Sequence, residues 1–188
     1  ARTIGSTASD RLLAWTAAVA PHPTDDDLYW LLQQSTVELR RVSDGATLRR
    51  LDMAGSDRVH TGALTDRLLV KRASGGWSIH NVDTGETLAD MSRLSGVHAE
   101  CLSPDGQVVQ CSEQVKTEAG TAARVTMRDA MSGELIATLD GRAGSYGVFS
   151  PDSKSFVPTG NAVRVYDVRT GKMVRECEGG DVGVWVPV

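Results

Sequence analysis

Four histidines are the first residues whose chemistry has to be considered, because a neutral imidazole is a common metal ligand and works as an acid or base near neutral pH. They are His22, His60, His80 and His98. Long stretches of sequence separate them, without the short spacing of a metal-binding motif. We therefore predict structural positions for all four and no metal site. The adjacent carboxylates Asp25 and Asp26 lie in a predicted turn, which indicates solvated surface.

The cysteines and glycines also indicate structure rather than catalysis. Cys101, Cys111 and Cys177 are odd in number and lack C-x-x-C spacing, so we interpret them as buried thiols. Unpaired thiols favour a cytoplasmic location, with a secreted or periplasmic one left open. No glycine-rich phosphate loop follows a strand and opens a helix. We predict no catalytic residues, no cofactor and no enzymatic activity.

The composition is that of a globular domain without a polyanion partner. Hydrophobic residues make up 40% and charged residues 23% of the 188 positions. The net charge is −4, from 20 basic and 24 acidic residues, which disfavours general binding to nucleic acid or anionic membranes. No apolar run approaches the roughly 18 residues that a membrane-spanning helix needs.

Four segments superpose without a gap, and they determine the fold prediction. Each alternates apolar and polar residues, turns at a glycine and alternates again, as two strands joined by a short turn do. They are VELRRVSDGATLRRL (37–51), WSIHNVDTGETLADM (77–91), VTMRDAMSGELIATL (125–139) and VRVYDVRTGKMVREC (163–177). Their glycines, Gly45, Gly85, Gly133 and Gly171, are 40, 48 and 38 residues apart. This spacing is close to the period of about 40 to 45 residues of four-stranded propeller blades.

A second sequence motif precedes two of the four repeated segments and predicts two more strands in each unit. CLSPDGQVV (101–109) and FSPDSKSFV (149–157) place Pro and Asp where a tight turn starts. We predict one all-β segment over 1–188, whose four-stranded units extend approximately over 14–51, 57–91, 97–139 and 144–177. The segment 182–188, VGVWVPV, is predicted to open a further unit.

This combination resembles the WD-repeat family and its quinoprotein-like β-propeller relatives, and the similarity covers almost the whole chain. The Asp of the family's Trp-Asp signature is matched at Asp129 and Asp167, and Tyr166 stands in the Trp place. The resemblance implies a β-propeller of degenerate bacterial-type repeats, with about four antiparallel blades and the first strand of a fifth. We expect a larger ring, completed by other blades of the same parent protein or by another chain; a closed four-bladed ring and a two-fold pairing of half-rings are the alternatives left open.

The resemblance also implies recognition of a protein or peptide by a non-catalytic scaffold or sensor module. The relevant face is formed by the loops between blades and the loops between second and third strands. The residues expected to bind there are Arg58, Arg72, His98, Lys116, Arg142 and Tyr146. Two alternatives stay open: a structural or assembly subunit, and a regulatory propeller of an enzyme whose catalytic domain lies outside this chain.

Three further expectations concern particular residues. The polar segment EQVKTEAGTAAR (113–124) lengthens the third unit and is predicted to be a protruding loop, either functional or idle. The arginines of the first hairpin either bind an acidic partner or, as we favour, charge an edge strand against pairing; they are Arg40, Arg41, Arg49 and Arg50. The aromatic residues expected to pack in or between blades are Trp15, Trp30, Trp77, Tyr146, Phe149, Phe156 and Trp185.

Overall fold

The chain is all-β over the residues that the structure describes, as predicted. The computed structural model describes residues 18–21, 25–32, 36–52, 58–61, 66–72, 75–117, 120–139, 146–159 and 162–177. Within these ranges sixteen strands form four antiparallel sheets of four strands each, and there is no helix. No helix in the described ranges, therefore, is long and apolar enough to cross a membrane.

In every sheet the four strands lie side by side in chain order. The first sheet contains β1 (Ala18–Pro21), β2 (Leu28–Leu32), β3 (Thr36–Arg41) and β4 (Thr47–Asp52). The second contains β5 (Arg58–Thr61), β6 (Arg67–Lys71), β7 (Trp77–Asn81) and β8 (Thr87–Asp90). The third contains β9 (Val97–Leu102), β10 (Val108–Thr117), β11 (Gly120–Asp129) and β12 (Leu135–Thr138). The fourth contains β13 (Gly147–Phe149), β14 (Ser155–Pro158), β15 (Val163–Asp167) and β16 (Met173–Cys177).

The two Ser-Pro-Asp sequences form the same turn between the first and second strands of their sheets. The Ser103 hydroxyl donates to Asp105 Oδ1 at 2.6 Å, and its oxygen accepts from the backbone N–H five residues later at 2.9 Å. Ser150 repeats both bonds, with Asp152 at 2.6 Å and with the later N–H at 2.9 Å. Side-chain oxygens thus satisfy backbone donors that a tight turn leaves unpaired.

An aspartate or asparagine at the end of the third strand caps the turn to the fourth strand in the last three sheets. Asp129 Oδ1 accepts from the backbone N–H groups two and three residues later at 3.0 and 2.8 Å, and Asp167 does the same at 3.1 and 2.7 Å. Asn81 supplies the equivalent oxygen in the second sheet, at 2.9 and 2.8 Å. Arg41 has no such oxygen, and there Asp44 accepts both an N–H bond at 3.0 Å and the Arg41 guanidinium at 2.9 Å.

The four sheets pack face to face in chain order, with a separate apolar core between each pair of neighbours. The core between the first and second sheets contains Trp30, Val37, Leu39, Leu68, Val70 and Val82. The core between the second and third contains Leu69, Trp77, Ile79, Met91, Ala99, Leu102, Val109, Cys111 and Ala130. The core between the third and fourth contains Val108, Val125, Met127, Ala137, Leu139, Phe149, Phe156, Tyr166 and Val168.

Of the seven aromatic residues predicted to pack, four are confirmed, one is wrong and two are not tested. Trp30, Trp77, Phe149 and Phe156 are buried, whereas Trp15 and Trp185 lie outside the described residues. Tyr146 is 58% exposed, so its predicted packing is wrong. The next residue, Gly147, lies against the ring of Phe156, and successive side chains of an extended segment point to opposite sides.

The predicted loop at 113–124 is instead a β-hairpin over its described residues. Strands β10 and β11 pair continuously from Val108↔Asp129 to Thr117↔Gly120. Strand β9 pairs with β10 only as far as Glu113, and β12 pairs with β11 only as far as Thr126. Residues 114–117 and 120–124 therefore form a two-stranded projection, which we call the hairpin arm. The sequence concealed it because its alanines and its glycine dilute the alternation that marks a strand.

The glycines of the third-to-fourth-strand turns lie against the preceding sheet. A side chain at Gly85 would meet Leu51, one at Gly133 would meet Met91, and one at Gly171 would meet the backbone carbonyl of Thr138. Small size at these positions lets neighbouring sheets approach closely. Gly45, in the first sheet, has no described atom within 4 Å of an added Cβ.

Candidate functional site

Five of the six predicted binding residues lie at the same side of the sheets, where strands begin or end. At this edge the first strand of each sheet begins and the second strand ends, because the two are antiparallel. Arg58 begins β5, Arg72 follows β6 and His98 is the second residue of β9. Lys116 is near the end of β10, and Tyr146 directly precedes β13. We call this the start edge; the sixth residue, Arg142, lies outside the described residues.

Arg72 and His98 flank one turn at the start edge. The Arg72 N–H donates to the Gly76 carbonyl at 3.4 Å, and Gly76 also forms a parallel bridge with His98. The Arg72 guanidinium Nη2 lies 3.5 Å from Asp90 Oδ2, and the His98 side chain is exposed. These two predicted residues are therefore brought together, from the second and third sheets.

Lys116 and Tyr146 lie further from this pair. Ser112 is paired with His98, and Lys116 follows it by four residues on β10. At about 3.4 Å per residue, Lys116 lies roughly 14 Å beyond the pair, on the hairpin arm. Tyr146 opens the fourth sheet beside β9, where the Cys101 Sγ lies 3.9 Å from the Gly147 carbonyl oxygen. The predicted residues therefore form an extended strip rather than one pocket.

An ion cluster around the buried Glu113 braces the hairpin arm where it leaves the third sheet. Glu113 Oε1 accepts from Arg128 Nη2 at 2.6 Å and from the Thr126 hydroxyl at 3.1 Å, while Oε2 accepts from Arg124 Nη2 at 2.8 Å. Sequence reasoning missed this cluster. The register of β10 on β11 creates it by placing Glu113 directly opposite Arg124.

The pKa of Glu113 results from two opposed effects. Burial alone would raise it, but hydrogen bonds from Arg128 and then Arg124 outweigh burial and hold the pKa below its ordinary value. A carboxyl group whose pKa is lower in the folded state stabilises the fold above its unfolded pKa. This stabilisation is lost as the pH falls through the folded-state pKa.

Replacing Glu113 with glutamine is expected to lower the free energy of unfolding at pH 7 by about 1 to 2 kcal/mol, since Arg128 loses a charged acceptor. The difference from the unsubstituted chain should shrink as the carboxyl group is protonated in acid. Urea unfolding at pH 7 and at about pH 3 measures it. Glu134→Gln, on an exposed turn, is the matched control and should change little. A Glu113→Gln effect that is independent of pH would show that the ion cluster does not brace the arm.

Charge is distributed unevenly between the two ends of the first and second strands. The turns at the far end carry the exposed carboxylates Asp25, Asp26, Asp27, Asp66, Asp105 and Asp152. At the start edge, Glu100 is paired with Lys71 at 2.8 Å and Glu113 is held by its arginines. Lys116 remains exposed there. The start edge is thus the more basic end.

The His80 side chain and the described cysteine side chains are in structural surroundings. His80 Nε2 lies 2.9 Å from the Ser78 hydroxyl and Nδ1 lies 3.3 Å from that of Thr87. Burial raises the pKa of the Cys101 thiol to about 12 and raises that of Cys111 as well, which makes both poor nucleophiles. Among the described residues, no group of three or more His, Cys, Asp or Glu side chains could hold a metal ion.

Comparison with known proteins shows similarity at the level of structure alone. The sequence matches no protein-family model and no curated protein. Among 675 matching chains of solved structures is the crystal structure of the computationally designed Ika8 protein, with a TM-score of 0.53 and 18% identity over 85% of this chain. The match covers 49% of the designed chain, so this chain spans about half its length. At this identity the likeness concerns the fold only.

Proposed function

We propose that this chain is a segment of a WD-repeat-like β-propeller that recognises a protein or peptide through its start edge and carries out no catalysis. Four four-stranded sheets that follow one another in chain order and pack face to face support the propeller assignment. In this interpretation each sheet is one blade.

The observation that carries the recognition proposal is the position of the hairpin arm. The arm extends beyond the start edge and brings the exposed Lys116 and Arg124 with it. The cluster around Glu113 holds its base, so a partner would meet a projection that is already ordered at its root. Beyond Glu113 and Val125 no strand of the described residues pairs with the outer side of either arm strand, so an extended peptide can add there as a further strand.

The charge distribution supports a partner segment that contains acidic residues. The start edge is the more basic end, and the far-end turns would repel the same segment. The buried, unpaired thiols of Cys101 and Cys111 support a reducing, cytoplasmic location as part of this proposal.

A capture experiment with a matched control tests the proposal. The start-edge variant replaces three exposed side chains by alanine: His98, Lys116 and Tyr146. The affinity-tagged chain is used to capture partners from its native extract, these are identified by mass spectrometry, and the dissociation constant of each purified partner is measured. We expect the start-edge variant to bind at least about tenfold more weakly, and binding of the unsubstituted chain to weaken with added salt.

The control variant replaces three exposed side chains at the far end, Asp26, Gln107 and Lys154, and should bind normally. Circular dichroism checks that both variants are folded. If every partner binds the start-edge variant as tightly as it binds the control, the start edge is not the recognition surface. The structural subunit or the regulatory propeller of a separate catalytic domain would then be the better assignment.

A further inference from the structure

One side chain of the first sheet lacks the cover that its equivalents have. Val42, Val82, Ala130 and Val168 occupy the same position in the four superposed hairpins. The last three are 2%, 0% and 1% exposed, and each packs in the core shared with the preceding sheet. Val42 is 44% exposed. Val42 therefore gives the outer face of the first sheet the apolar residue of a sheet-to-sheet interface, but no described sheet packs against this face.

Gly45 supports the same conclusion independently. An added Cβ would meet side chains of the preceding sheet at Gly85 and Gly133 and its backbone at Gly171, whereas at Gly45 no described atom lies within 4 Å.

In the described structure, the outer face of the fourth sheet likewise lacks the packing that the equivalent faces of the other three sheets have. Val163 and Val165 are equivalent to Val37 and Leu39, to Trp77 and Ile79, and to Val125 and Met127. These equivalents are buried against the following sheet, whereas Val163 and Val165 are only partly buried. The outer face of the fourth sheet thus has the other half of the same interface.

The ion pair on the outer face of the first sheet is compatible with packing of another sheet on this face. Glu38 and Arg50 form a cross-strand pair there at 3.4 Å. The equivalent positions of the fourth sheet hold Arg164 and Glu176, paired at 2.8 Å with the charges exchanged. That pair lies on the side of β15 that contributes Tyr166 to the core with the third sheet, so the sheet-to-sheet interface accommodates such a pair.

We infer that a second copy of this chain covers both faces, with the fourth sheet of each copy packed on the first sheet of the other. Two such contacts, related by a two-fold axis, close the assembly. The two faces are the two halves of one repeated interface, so a second copy can cover both with the type of contact that the chain already forms three times. This inference goes beyond the recognition proposal and uses residues outside the start edge.

The mass of the purified chain in solution tests the inference. Sedimentation equilibrium should give twice the 20.1 kDa of the single chain. Val42→Glu and Val165→Glu each place a charge in both contacts and should each give single chains. Leu135→Glu, at an exposed position of the third sheet, is the matched control and should remain paired. Circular dichroism confirms that each variant retains its sheet structure.

Mixing the two variants tests the head-to-tail order. In the mixed pair, one contact joins the intact fourth sheet of the Val42→Glu copy to the intact first sheet of the Val165→Glu copy. The other contact carries both substitutions, so one unsubstituted interface is restored. We expect mixed pairs to form at concentrations at which neither variant pairs alone.

Each other outcome overturns the inference in a distinct way. An unsubstituted chain that stays single at tens of micromolar contradicts the second copy as the occupant. A series of larger species contradicts closure, and pairing that survives Val165→Glu contradicts the role of the fourth sheet. No recognition partner is present, so a negative result leaves the start-edge proposal unaffected, and failure of that proposal does not alter these masses.

Discussion

Replacing Gly171 with alanine is expected to lower the free energy of unfolding by about 2 to 4 kcal/mol, whereas the same change at Gly45 should cost only about 1 kcal/mol. Both glycines have positive φ, 70° and 69° respectively, so the backbone penalty is shared. Only at Gly171 would the new Cβ also collide with the backbone carbonyl of Thr138 in the third sheet. Backbone cannot yield as a flexible side chain can.

Urea denaturation followed by circular dichroism measures both changes, in a Val42→Glu background so that single chains are compared. This background removes any contribution of a second copy at Gly45. Equal losses at the two positions would mean that the turn conformation alone accounts for the glycines. The contact between neighbouring sheets would then not select them.

Replacing Trp77 with alanine is expected to cost about 3 to 5 kcal/mol, because the side chain is fully buried between the second and third sheets. Trp77 Nε1 also donates to the Ala130 carbonyl at 3.2 Å across this core. Trp77→Phe keeps an aromatic ring but removes the donor and some of the volume. We expect it to cost about 1 to 3 kcal/mol.

The same denaturation measurement separates the two contributions of Trp77. Leu135→Ala, on an exposed side chain of β12, serves as the control and should change stability by less than about 0.5 kcal/mol. If Trp77→Phe proves as costly as Trp77→Ala, the hydrogen bond and the shape of the indole dominate. An alanine variant as stable as the control would contradict the packing of the second sheet on the third.

The strands were predictable because their signals are local. Alternation around Ile79 and Met127, with a glycine at each turn, is a property of a few neighbouring residues and survives without knowledge of the fold. The spacing of the glycines then indicates four strands per unit. The sequence did not predict the hairpin arm as two strands because its residues have weak strand propensities. The pairing of β10 with β11 compensates for them, as structural context commonly does.

Only the part of the candidate site that depends on strand order was predictable from the sequence. Antiparallel order alone places Arg72 and Lys116 at one edge of their sheets, and this needs no side-chain geometry. The Glu113 cluster depends on which residue of β10 faces which residue of β11, and a shift of one residue would dissolve it. Likewise, the exposure of Tyr146 depends on the packing of Gly147 against Phe156.

The three separate cores have a consequence for how the molecule comes apart. Stability in such an arrangement is close to a sum of nearest-neighbour terms, as in a one-dimensional chain of coupled units. Among the described residues, the second and third sheets each take part in two cores, whereas the first and fourth each take part in one. Sub-global opening therefore begins at the outer sheets and moves inward. Closure by a second copy would give every sheet two neighbours, and unfolding would have no preferred end from which to start.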